Sequence, residues 1–214
     1  MSAVLAFADR ETFGDLRTYV SRARKADPDG AVRLVGHGDV LAAYVSPVHG
    51  SGAPTVLGLR TMRLASPPGV DVTVPLAALA DRLAAPEGQL QLSMPPAQVR
   101  ASWAGVSPPR RGWEAMGGIV SGTLREVARA GIAEIASGAG EGSGSHAVTR
   151  LRGLVWSRRF SEFSLPAGAA FAVEALAFAA DGETVAVFTS GPWTRLSTAR
   201  GHVLSRDPLG AGLV

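Results

Sequence analysis

The chain has 214 residues, 46% of them apolar and 18% charged, with no cysteine and a formal net charge of +3. The apolar share places it among folded globular proteins, because disordered chains lack the buried surface to offset chain entropy. The absence of cysteine excludes disulfides, zinc-thiolate clusters, iron-sulfur centres and thiol nucleophiles together.

From the N-terminus, Thr12 to Ala26 sets Phe13, Leu16, Tyr19 and Val20 at helical spacing among Asp15, Arg17, Arg22 and Arg24, which predicts an amphipathic helix. Asp27-Pro28-Asp29-Gly30 ends it. Ala31 to Val35 and Val40 to Val45 flank Gly36-His37-Gly38-Asp39 and read as a β-hairpin. Thr55 to Leu64 reads as a third strand, Val70 to Val74 as a short one, Leu76 to Ala84 as a helix begun by Pro75, and Gln89 to Ser93 as a strand. Pro95-Pro96 and Pro108-Pro109 rule out a long regular element between residues 95 and 113.

Helices are expected from Glu114 to Ser137, His146 to Phe163 and Pro166 to Ala180, followed by β runs at Thr184 to Ser190, Trp193 to Ser197 and His202 to Ser205. Gly118, Gly122 and Gly131 in the first of these helices point to close helix packing. The expected organisation is an N-terminal half over 1–94, a proline-rich connector over 95–113 and a C-terminal half over 114–214, which together can form a single domain. Helices coupled to runs of hairpin-connected strands favour an α+β fold with antiparallel sheet over a βαβ series.

No motif assembles a complete catalytic constellation, so enzymatic activity stays open. Gly138 to Ser145 is glycine-rich and contains a bare Gly-x-Ser-x-Gly around Ser143, but no strand precedes it and no lysine follows it. It reads as a connector. His37, His49, His146 and His202 form no close ligand pair, and neither metal nor cofactor is expected. Glu174 falls between Phe171 and Phe178 on a helical wheel, at the edge of a buried face or in need of an arginine partner.

Three site candidates remain. Trp193 and Arg195 share one strand face, and the chain returns through Arg200 and His202, an arrangement suited to a small anionic ligand or to a cation-π pair at the rim of the core. The turn at His37 and Asp39 is a second candidate for the same ligand. Arg150, Arg152, Arg158 and Arg159, interleaved with Trp156 and Phe160, together with Arg110 and Arg111, have the composition of an anion or nucleic-acid patch. On a helical wheel, however, the four bracket an apolar arc.

Lys25 is the only lysine among 21 cationic side chains, so the sequence pI of about 10.1 reflects an arginine-rich composition and not a basic domain. Nucleic acid is therefore not the favoured partner. No basic leader opens the chain, and Pro166 to Ala180 falls short of the roughly 20 residues that span a bilayer, so a soluble cytoplasmic protein without a membrane segment is expected. The leading reading is a non-catalytic binding or protein-interaction module that meets a protein partner or itself. The alternatives are an enzyme or sensor for a small anionic ligand using Arg195, Arg200 and His202, and nucleic-acid binding through the arginine clusters.

Overall fold

In the computed structural model, which describes residues 4–50, 52–84, 90–139 and 144–207, Asp9 caps the first helix. Its carboxylate accepts a hydrogen bond from the Thr12 backbone N–H at 2.7 Å, and that bond holds the Asp9 carboxyl below its usual range. The chain divides into two compact units, Met1–Ser46 with Leu59–Val106 and Pro47–Gly58 with Ser107–Val214.

The first unit contains β1 (Val4–Ala6), α1 (Arg10–Ala26) and β2 (Ala31–His37), and shares β3 (Val40–Val48) and β4 (Thr55–Arg63) with the second. It continues through β5 (Asp71–Pro75), α2 (Leu76–Leu83) and β6 (Gln91–Ser93). The strands pair in the order β5-β2-β3-β4, and β1 pairs with β6. Strand β2 is antiparallel to both β3 and β5. Helix α1 buries Phe13, Leu16, Tyr19, Val20 and Ala23, and α2 buries Leu76, Leu79 and Leu83. The buried Tyr19 hydroxyl donates to the Ala43 carbonyl at 3.3 Å. Arg33 clamps the end of this unit: it meets both Asp71 carboxylate oxygens at 2.9 Å and donates to the Ala104 carbonyl at 2.6 Å. That bond ties a 3-10 turn over Ser102–Gly105, with its buried Trp103, to β2.

The second unit holds β7 (Glu114–Val120), α3 (Ser121–Gly138), α4 (Ser145–Ser157), β8 (Arg159–Phe160) and β9 (Leu165–Pro166). It ends with α5 (Ala167–Ala175), β10 (Thr184–Ser190), β11 (Trp193–Thr198) and β12 (Gly201–Arg206). Its strands run in the order β12-β11-β10-β7, each antiparallel to the next. Helix α5 is built of small residues and buries Ala167, Gly168, Ala169, Ala170, Ala172 and Val173. Trp156 on α4 stacks on Phe171 of α5, with ring centroids 4.6 Å apart. The fold is therefore α+β, with antiparallel strands packed against helices, as the sequence pattern leads one to expect. Among the described residues no helix is long and apolar enough to cross a membrane.

Three local expectations are corrected. Glu114 to Ser137 is not one helix: its first seven residues form β7, because Gly117 and Gly118 weaken a helix by about 1 kcal/mol each relative to alanine and pairing with β10 satisfies the backbone instead. The helix expected from His146 to Phe163 stops at Ser157, where Arg158 turns to φ −58°, ψ 139°. Ser161 and Ser164 then take positive φ in the turn joining β8 to β9. Helix α5 ends at Ala175, five residues early, with Ala177 at φ 51°.

Gly131 on α3 lies against Trp156, and a Cβ placed there would stand 2.8 Å from Trp156 Cη2. Gly122, one helix residue after the start of α3, faces open space. Gly131→Ala is expected to destabilise the protein by about 1–3 kcal/mol through overpacking. Gly122→Ala is expected to stabilise it by about 0.5–1 kcal/mol through helix propensity. Thermal or urea unfolding of the two variants measures both signs.

Candidate functional site

The face expected to offer Trp193 and Arg195 to a ligand is occupied from within. Trp193 is 4% exposed. The Arg195 guanidinium carbon lies 4.5 Å from the Trp113 ring centroid and 4.4 Å from that of Phe188, so two aromatic faces enclose it. Arg195 Nε is buried with no hydrogen-bond partner among the described residues, and burial lowers the guanidinium pKa from its ordinary value. Phe188 is the cross-strand neighbour of Arg195 in β10, whereas Trp113 comes from the segment entering β7 and is held by its indole N–H donating to the Pro109 carbonyl at 3.0 Å. Register pairs His202 with Ser197, and its Nδ1 lies 3.0 Å from the serine hydroxyl. Arg200 is exposed in the turn between β11 and β12, where its backbone N–H donates to Thr198 Oγ1 at 3.1 Å.

At the other candidate turn, the Asp39 carboxylate pairs with Arg63 Nε at 2.9 Å, which holds the carboxyl below its usual range. His37 is exposed at the end of β2. The arginine cluster is divided among different elements. Arg158 forms a two-pronged pair with Glu134 on α3, Arg159 pairs with Asp207 and donates to the Ser164 carbonyl at 2.9 Å, and Arg150 and Arg152 stay on α4. Arg110 and Arg111 are exposed ahead of β7. Glu174 meets Arg125 Nε at 3.4 Å, and Arg125 also pairs with Asp181. Residues 140–143 of the glycine-rich stretch, Ser143 included, lie outside the described residues. Among the described residues no three His, Asp or Glu side chains gather closely enough to share a metal ion.

A different feature stands out in the second unit. Among the described residues strand β7 ends the strand order, paired with β10 on one side, and all of its residues except Ile119 are exposed. Met116 is 53% exposed and Val120 52%. The register steps between Val187 and Phe188: Gly117 faces Val187 and Ala115 faces Phe188, which leaves Met116 as the extra residue of a β-bulge, with Gly117 at φ 138°. A bulge of this kind re-aims the extra side chain. Sequence reasoning missed this strand by reading it into a helix; the Gly117-Gly118 pair followed by β-branched Ile119 and Val120 was the available signal.

The enclosure of Arg195 is measurable as a coupling. In a double-mutant cycle of Arg195→Met and Trp113→Ala, the interaction energy is expected at about 1–2 kcal/mol and nearly independent of salt, because a stacked, partly buried cation is weakly screened.

Residues 1–105 match the model of a domain of unknown function, DUF8010, and residues 108–210 match that of another domain of unknown function, DUF8185. No curated protein matches the chain. In structure the chain is similar to Caulobacter crescentus pol III beta, with a TM-score of 0.51 and 11% identity over 99% of this chain and 66% of that one. It is likewise similar to a candidate DNA polymerase III beta subunit from Eubacterium rectale, with a TM-score of 0.54 and 11% identity over 98% of this chain and 65% of that one. The chain spans just under two thirds of the length of each. At such identity the likeness is one of fold: the chain shares the α+β arrangement of DNA polymerase III beta subunits.

Proposed function

We propose that this chain is a non-catalytic interaction module that joins another protein chain, a second copy of itself first of all, by strand addition to β7. One observation carries the reading: β7 is an apolar edge strand, with Met116 and Val120 each about half exposed. An unpaired edge exposes a row of backbone donors and acceptors, which proteins usually blunt with charge, proline or cover unless another strand docks there. Between Ala115 and Val120, β7 has neither a charge nor a proline. Its bulge leaves Met116 as an extra, half-exposed residue without a partner position in β10.

One protein of similar fold is named a DNA polymerase III beta subunit, and a module that works by association agrees with that name. Two copies of β7 meeting antiparallel about a two-fold axis would form an isologous interface. The nucleic-acid reading is less favoured, because Arg158 and Arg159 are engaged by Glu134 and Asp207. The small-ligand reading is less favoured because Trp113 and Phe188 fill the space around Arg195.

Light scattering on the purified chain across micromolar concentrations tests the reading. A mass of at least twice the chain is expected, returning to that of one chain in Met116→Lys with Val120→Lys. A single-chain mass at every concentration, or a larger mass that the double variant leaves intact, rejects strand addition at β7.

A further inference from the structure

The first unit carries a second surface, apart from β7. Helix α1 turns Phe13, Leu16, Tyr19, Val20 and Ala23 inward and leaves Arg17, Arg24 and Lys25 exposed along the flank that faces α2. The spacing i, i+7, i+8 puts the three on one side of the helix. Between α1 and α2 a groove of about 450 Å³ opens, with these cations along one wall and Pro28, Ala80 and Leu83 supplying apolar lining. Among the described residues no acidic side chain lines it.

Arg33, Arg60, Arg63, Arg125, Arg158 and Arg159 are each paired with a carboxylate. Among the described residues no carboxylate lies within ion-pair distance of Arg17, Arg24 or Lys25. Asp15, two residues before Arg17 on α1, is taken by Arg60. Three like charges along one groove repel one another and favour an occupant that brings negative charge.

We infer that this groove docks a short acidic, aliphatic peptide segment of a protein partner. Its carboxylates would meet Arg17, Arg24 and Lys25, and an aliphatic side chain would rest against Pro28 and Ala80. The volume lies within the range of ordinary ligand sites. Among the described residues no aromatic side chain lines the groove to give the stacking platform that single-stranded nucleic acid uses, and its apolar lining suits a leucine better than a phosphodiester. The inference adds a partner surface to the interaction-module reading and does not depend on β7.

Fluorescence anisotropy on the full chain, with a fluorescein-labelled peptide of repeated Leu-Glu-Glu-Leu units as probe, tests it. Saturable binding is expected, weakened at least tenfold by Arg17→Glu with Arg24→Glu, which puts like charges opposite the probe. Ala80→Phe fills the apolar lining without altering charge and is expected to weaken binding comparably. All three side chains are exposed or half-buried on helices, so unchanged melting temperatures would confirm that the variants remain folded. The inference is overturned if the wild-type chain does not bind the probe, if the double variant binds it equally, or if a peptide with glycine in place of leucine binds as tightly. Displacement of the probe by a single-stranded oligonucleotide, with a steeper salt dependence, would assign the groove to nucleic acid and overturn it too. The mass measurement at β7 is independent of every one of these outcomes.

Discussion

The second unit depends on one close approach, that of Trp156 to the small residues around it. The indole lies flat on Phe171 of α5, and Gly131 of α3 and Gly168 of α5 leave room for it because neither carries a side chain. A Cβ on Gly168 would come within 3.3 Å of Trp156 Cβ and of Val48 Cγ1. The burial of a large aromatic surface outweighs an indole N–H that finds no hydrogen-bond partner among the described residues. The alanine-rich α5 follows from the same constraint, since helices this close cannot both carry long side chains. With α3 held in this way, the strand that leads into it is delivered to the end of the sheet, and β7 becomes an edge.

In the first unit the organising constraint is the narrow apolar stripe of α1. Five buried residues face inward, and the cationic residues are left to whatever acids their flank happens to meet. Asp15 meets Arg60 on one flank. The flank toward α2 meets none among the described residues. Charge that is diluted to a small net excess over the whole chain is therefore locally concentrated, a distribution that the overall pI does not reveal.

The elements that could be read in the sequence are those whose signals are local. The amphipathic α1, the β2-β3 hairpin around Gly38, the Pro75 start of α2 and the three closing strands each declare themselves within a dozen residues. Strand β7 did not, because its glycines and apolar residues fit a weak helix as readily as a strand, and only β10, more than sixty residues later, decides between them. Helix α4 was overextended for the same reason: the positive φ of Ser161 and Ser164 belongs to a turn that no side chain announces. Very short strands such as β1 and β8 carry no periodicity to read.

By itself the sequence determined the α+β class, the periodic faces of the long elements and the chemistries ruled out by missing residues, because each of these follows from composition and from spacing along a continuous chain. It also placed Trp193 and Arg195 on one strand. Only tertiary structure decided what surrounds that arginine, since Trp113 reaches it from the segment entering β7 while the β10-β11 register sets Phe188 beside it. Only tertiary structure, too, decided which arginines are neutralised by Glu134, Asp71 or Asp207 and which line a groove. The physical reason is the same in both cases: a cation's role is set by what lies within a few ångströms of it, and folding, not chain order, chooses those neighbours.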